Sequence, residues 1–188
     1  MKTWVKTDVV TEPVTSTEAK LFCKISGTQD DTLIASLIRS ARMAIENYTG
    51  LALAEKTLYT TFDLPGLDNI LDLPVQPVKS VALVNIVDIE GEETTLTLNT
   101  DYYLIDSPWT KIKIGNIWVS DGVLLKVEYT VGYGATGCPA LPEALKIAVL
   151  KEIATQYERR EDITEVAGQV MDNNSRKLAD PFRIKLWL

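Results

Sequence analysis

A chain of 188 residues with 46% hydrophobic content can build one domain, or one domain with a sizeable insertion. Its net charge of −7 argues against gripping nucleic acid by phosphate neutralisation, although DNA could still pass nearby without being held. It contains no histidine, which removes the commonest general base, the commonest metal ligand and every Ser–His or Cys–His nucleophile pair.

The first zone reads as helical. Thr15-Ser16-Thr17-Glu18 is a capping box: the Thr15 hydroxyl can bond the third helical amide while Glu18 reaches back. The short helix it opens carries Ala19, Leu21, Phe22 and Cys23, and Gly27 is expected to end it. Asp30 is expected to cap a longer helix, with Asp31 favourably placed against its N-terminal dipole. Leu33, Ile34, Leu37, Ile38, Ala41, Ile45 and Tyr48 recur at helical spacing as one apolar stripe, closed by Gly50.

Residues 51–131 read as β-rich. Strands are expected over 57–62, up to Leu73, over 78–89, and over 94–98 as a return strand after the turn at Glu90-Gly91. Pro74-Val75-Gln76-Pro77 reads as a break. Further strands are expected over 102–105, over 111–114 with 117–119 as a tight hairpin across Gly115-Asn116, and over 123–131. A small sandwich or barrel-like antiparallel sheet is the implied arrangement. A second helical zone follows, with Pro142 at a first helical position, Glu143 in the first turn, and Leu145, Ala148, Val149, Ile153 and Tyr157 on one face. The polar residues 161–174 read as a mobile loop or arm. The fold class is therefore α+β: an N-terminal helix pair and a long C-terminal helix packed as a small helical bundle, with an inserted antiparallel β-rich subdomain. Its segments are 15–50, 51–131, 138–161, and a flexible arm and tail over 162–188.

Two strings carry well-known patterns. Thr130 to Gly134 spells the potassium-filter sequence TVGYG, but no apolar run reaches the ~18 residues of a membrane span. Gly132, Gly134 and Gly137 spell GxGxxG, but Cys138-Pro139-Ala140-Leu141-Pro142 separates them from the helix, and no strand with a terminal acid follows. Gly132 and Gly134 are better read as a structural hinge that lets Val131 leave its strand. No catalytic, cofactor-binding or metal-ligating constellation emerges. Cys23 and Cys138 lie outside any CxxC pattern and read as buried reduced thiols, with a disulfide between them as the lesser alternative. Residues 1–8 lack the apolar core of a signal peptide, so a soluble intracellular product with no membrane partner is expected.

The acidic pairs Asp30-Asp31 and Glu92-Glu93 read as capping and as a solvated hairpin tip. Arg159, Arg160 and Glu161 read as a solvated helix end, or as candidate inter-subunit ion pairs. Phe182, Arg183, Ile184, Lys185, Leu186, Trp187 and Leu188 crowd apolar mass at a terminus, alternating with basic residues. Such a segment can form an edge strand on its own domain or dock on a partner by strand addition. Trp4 raises the same question more weakly.

The order of landmarks resembles a known family. Thr15…Glu18-Ala19-Lys20 is followed by Asp30-Asp31-Thr32-Leu33-Ile34, Ala41-Arg42…Ile45-Glu46-Asn47-Tyr48-Thr49-Gly50, and Leu73-Pro74…Pro77-Val78-Lys79-Ser80-Val81. Then come Val127-Glu128-Tyr129-Thr130-Val131-Gly132-Tyr133-Gly134, Leu141-Pro142-Glu143-Ala144-Leu145-Lys146, Tyr157-Glu158-Arg159-Arg160-Glu161 and Asp180-Pro181-Phe182-Arg183. Taken together they are similar to the tailed-phage head–tail connector (adaptor) family, in the branch with a β-rich insertion. The resemblance implies a non-enzymatic structural protein without cofactors. It would form a ring under the portal, typically of twelve copies in the virion, and could be a monomer in isolation. The ring would extend the channel for genomic double-stranded DNA without sequence-specific binding and offer a platform for neck and tail-completion proteins. It would sit in the virion neck, after assembly in the host cytoplasm, with residues 182–188 reaching toward the portal protein. The alternatives are a monomeric cytosolic protein-binding module, or a hydrolase using carboxylates.

Overall fold

The computed structural model describes residues 1–63, 70–106, 109–115, 122–134, 139–158 and 174–184. It is a mixed α+β chain that divides into two compact units. One unit joins residues 1–10 to 54–139, and the other joins 11–53 to 140–188. The first ten residues, assigned to no segment by sequence, belong with the strands.

In the β unit, a five-stranded antiparallel sheet runs in the order β1 (Lys2–Thr7), β2 (Lys56–Asp63), β8 (Gly122–Val131), β4 (Val78–Asp88), β5 (Glu93–Thr95). A separate sheet runs β3 (Ile70–Asp72), β7 (Thr110–Ile114), β6 (Tyr102–Asp106). Among the described residues the larger sheet ends in two edge strands, β1 and β5, and does not close into a barrel. Because side chains alternate across a strand, each register position assigns a residue to one face. Leu58, Phe62, Val84, Ile86, Leu125, Val127 and Val131 share the buried face. Tyr129 lies among them fully enclosed, and burial raises its phenol to about 12. Its hydroxyl keeps a partner in Thr60 Oγ1 at 3.1 Å, as a buried polar group needs. Each large aliphatic side chain removed from water here contributes about 1.5–3 kcal/mol.

The 111–114 strand was expected to form a hairpin with 117–119. In the structure Lys111 to Lys113 pair with β6 on one side and β3 on the other, so neither edge is open to a hairpin partner. Residues 117–119 lie outside the described residues. The β4–β5 hairpin forms across Gly91, whose φ of 89 suits glycine, but β5 is only three residues long.

In the helical unit, α1 (Ser16–Phe22), α2 (Asp31–Thr49), α3 (Glu143–Glu158) and α4 (Asn174–Ala179) contact one another, and one 3-10 turn (Asp180–Phe182) follows. The capping box at α1 is complete: Glu18 N donates to Thr15 Oγ1 at 3.2 Å, and Thr15 N donates to Glu18 Oε2 at 2.9 Å. Gly27 does not end this helix. Lys24 takes the left-handed conformation instead, and the Ile25 amide returns to Lys20 O at 2.9 Å in a Schellman-type closure. Gly50 does end α2, at φ 76, with its amide on Glu46 O. Leu145, Ala148, Val149 and Ile153 are buried along α3, and Ile34, Ile38, Ala41 and Ile45 along α2, while Leu33 stays exposed.

Candidate functional site

The segment expected to be a loose arm and tail is, from Asn174 to Ile184, built onto the helical unit. In α4, Ser175 Oγ donates to Glu152 Oε2 on α3 at 2.7 Å. Asp180 accepts a short hydrogen bond from the Tyr48 hydroxyl at the end of α2. That bond, together with desolvation, raises the Tyr48 phenol above its ordinary value. The guanidinium carbons of Arg183 and Arg176 lie 5.2 Å and 5.5 Å from the centre of the Tyr48 ring, within cation–π range. The Ile184 amide then donates to Thr49 O at 2.8 Å, satisfying a carbonyl at a helix end that would otherwise lack a partner. Two cations at the negative end of α2 are also placed well for its dipole. Of the seven tail residues singled out, Arg183 and Ile184 are therefore anchored beside α2, Phe182 belongs to the 3-10 turn just before them, and Lys185, Leu186, Trp187 and Leu188 lie outside the described residues. Arg159, Arg160 and Glu161 lie outside them too.

Two further ties hold this unit. Lys146 Nζ on α3 lies 2.5 Å from Glu18 Oε1. That bond and the two from Thr15 lower the Glu18 carboxyl to about 2. Asp30 sits at the N-cap position of α2 as expected but makes no side-chain cap. Its Oδ2 instead accepts from Tyr157 OH on α3 at 2.7 Å. The competing partner wins because a phenol donor on a packed neighbour fixes the carboxylate away from its own helix.

Sequence reasoning missed the polar centre of α2. Arg42, 3% exposed, donates from Nε to Glu12 Oε2 at 2.7 Å and from a terminal nitrogen to Glu46 Oε2 at 3.0 Å. Glu46 Oε1 accepts the Leu53 amide at 2.9 Å. Two carboxylates accept from the buried guanidinium, and the Leu53 amide in turn satisfies one of them, as a buried ion pair needs. The signal was present: Arg42 and Glu46 stand at i,i+4 on the Ile38–Ala41–Ile45 face.

The hinge glycines differ in kind. Gly132 has φ 129, and a Cβ there would fall 2.3 Å from Ala54 O, whereas Gly134 at φ 74 has open space. Their amides are committed: Gly132 N donates to Pro77 O at 3.0 Å and Gly134 N to Pro139 O at 2.9 Å. Neither is offered to a phosphate, and Gly137 lies outside the described residues. Glu93 is not simply solvated, since it pairs with Lys126 at 2.9 Å and accepts from Asn85. Cys23 is a free thiol, only partly buried, and partial desolvation raises its pKa; Cys138 lies outside the described residues. Among the described residues no cluster of acids and thiols could hold a metal, and no helix is long and apolar enough to cross a membrane.

A model of the head completion protein family matches residues 12–177. The chain belongs to the head completion protein family. It is a head–tail connector of a phage-like particle, a structural protein and not an enzyme. No curated protein matches it. Among solved structures it is similar to a chain from the neck of an empty gene transfer agent (GTA) particle with C6 symmetry, at 23% identity and TM-score 0.79. It is also similar to a chain of the native GTA virion, at 24% and 0.78, and to one from the native GTA neck with C12 symmetry, at 24% and 0.73. Each likeness covers 100% of this chain and 98% of the other, and at these identities it is a likeness of fold.

Proposed function

We propose that this head completion protein assembles as a ring, twelve copies in the particle, in the neck below the portal. The family match over residues 12–177 carries the reading. The C6 and C12 symmetries of the necks whose chains share its fold support a ring. The helical unit serves as a small bundle that packs against neighbouring copies, with Arg159, Arg160 and Glu161 as inter-subunit contacts. A cyclic ring requires such heterologous contacts to close. The net charge of −7 suits a conduit through which double-stranded DNA slides without being retained.

The anchor at Tyr48 sharpens the role of the tail. Residues up to Ile184 are held by α2, so residues 185–188, with Trp187 and Leu188, form the portion that reaches the portal protein. Neck and tail-completion proteins dock on the ring. Assembly takes place in the host cytoplasm. Co-sedimentation with the portal ring encoded beside it tests this reading, comparing the full chain with chains ending at Ile184 and at Asp180. The full chain is expected to pellet with the portal, and the chain ending at Ile184 to stay in the supernatant. A full chain that never binds its own portal overturns the connector placement. Equal binding of all three overturns only the role of residues 185–188.

A further inference from the structure

The two ends of the five-stranded sheet fit each other. Among the described residues, β1 and β5 each pair on one side only, and every residue of both strands is exposed. The sheet is antiparallel throughout and has an odd number of strands, so β1 and β5 run in the same direction. That geometry decides which assembly can join them. Rotation about a ring axis brings the β5 edge of one copy beside the β1 edge of the next in parallel, a contact that repeats until it closes. A two-fold axis can only join β1 to β1 or β5 to β5.

Chemistry on both faces agrees. Register places Trp4 over Tyr59, Tyr59 over Glu128 and Asn85 over Lys126, with Lys2 and Lys6 alternating with Trp4 on β1. Lys6 reaches Glu128 and Lys126 reaches Glu93, so Lys2, Trp4, Lys6 and Glu93 share this polar face. One end of the face is thus basic and aromatic. The other ends on a hairpin bearing Asp88, Glu90, Glu92 and Glu93. On the opposite face, Val5 is 50% exposed beside the buried Leu58, and exposed Thr94 lies beside the buried Ile86. Joining the edges would continue both the charge pattern and the apolar layer. Lysines on an edge strand also discourage indiscriminate pairing, which favours an acidic strand as the accepted neighbour.

We infer that β1 of one copy adds in parallel to β5 of the next copy, making a continuous intersubunit sheet around the ring. This rests on the ring reading above but assigns part of the contact to the β unit, not to the helices alone. Cross-linking tests it in a chain with Cys23→Ser and Cys138→Ser, carrying Val5→Cys and Thr94→Cys. Rings assembled on the portal are treated with a short bismaleimide and resolved under denaturing conditions. A ladder of covalent multimers is expected from the double-cysteine chain and none from either single-cysteine chain. Rings that form but give no ladder overturn the edge pairing and leave the ring intact. Dimers from the Val5→Cys chain alone also overturn it, since they mark a two-fold contact. If the double-cysteine chain fails to enter rings, the pair Trp4→Cys and Thr95→Cys on the other face replaces it, read by the same ladder. If the unsubstituted chain forms no ring, the ring reading itself fails.

Discussion

Replacing Gly132 by alanine should damage the β unit far more than the same change at Gly134. At Gly132 the added Cβ would lie 2.3 Å from Ala54 O, 2.4 Å from Ala54 C and 2.6 Å from Glu55 N. These are backbone atoms, which cannot swing aside as a side-chain tip can. They would have to retreat by roughly 1 Å to regain van der Waals separation. A φ of 129 adds strain for any L side chain, about 1–3 kcal/mol, and forced overpacking adds about 1–3 kcal/mol more. The less flexible unfolded chain returns about 0.4–1 kcal/mol. The net loss is about 1–5.5 kcal/mol, a fall in Tm on the order of 2–20 °C for a chain of this length. At Gly134, with φ 74 and no atom within 4 Å, only the left-handed backbone cost remains, about 1–2 kcal/mol before the same offset. Calorimetry or denaturant titration of the two variants side by side measures the difference. If Gly132→Ala costs no more than Gly134→Ala, the close approach to Ala54 has no energetic weight and the reasoning fails.

Arg42→Met should destabilise the helical unit by about 3–5 kcal/mol, because it breaks a buried ion pair with Glu46, 7% exposed, and removes the donor to Glu12; chemical denaturation reads this directly. Glu18, lowered to about 2 from an ordinary 4.5, favours the fold as a carboxylate. Its contribution is full above about pH 4.5 and is lost as pH falls toward 2. With 39% of that side chain exposed, screening leaves roughly 0.2–1 kcal/mol, which Lys146→Met should reduce on the acid limb of a stability–pH curve while the two Thr15 bonds keep the rest. Tyr48→Ala should free the anchored segment, seen as faster tryptic cleavage at Arg176, Lys177 and Arg183 with little change in global Tm. Unchanged cleavage would mean that α4 and the Ile184 amide hold the segment without the ring.

What the sequence made legible was what local rules decide. Thr15 and Glu18 close a capping box because both partners lie within four residues, and Gly50 ends α2 because its left-handed geometry needs no distant help. The strands at 56–63 and 122–131 alternate buried and solvated positions, a period that shows in sequence. Misses occurred where a distant residue outbid the local one. Asp30 was drawn from capping to Tyr157, 127 positions away, and the edge of β7 not paired with its chain neighbour β6 is taken by the distant β3. β1 was missed because Lys-Thr-Trp-Val-Lys-Thr has no buried face, so its strand is imposed by pairing with β2 and not by hydrophobic pattern.

The tail shows how such a miss bears on function. Its alternating basic and apolar residues were read as one unit, either an edge strand or a free docking arm. The arginine at 183 has a second use, because a planar cation can stack on Tyr48 while Asp180, three residues earlier, takes the hydroxyl of the same ring. One aromatic ring thus fixes both sides of a proline turn. If residues 185–188 meet the portal as proposed, the anchor at Ile184 sets the point on each copy from which they do so. A tip presented at a fixed point on each copy is what a ring needs if every subunit is to meet an equivalent site. Tyr48→Ala should therefore weaken portal co-sedimentation of the full chain even though Tyr48 itself need not touch the portal. Full binding by that variant would show that the tip requires no anchor.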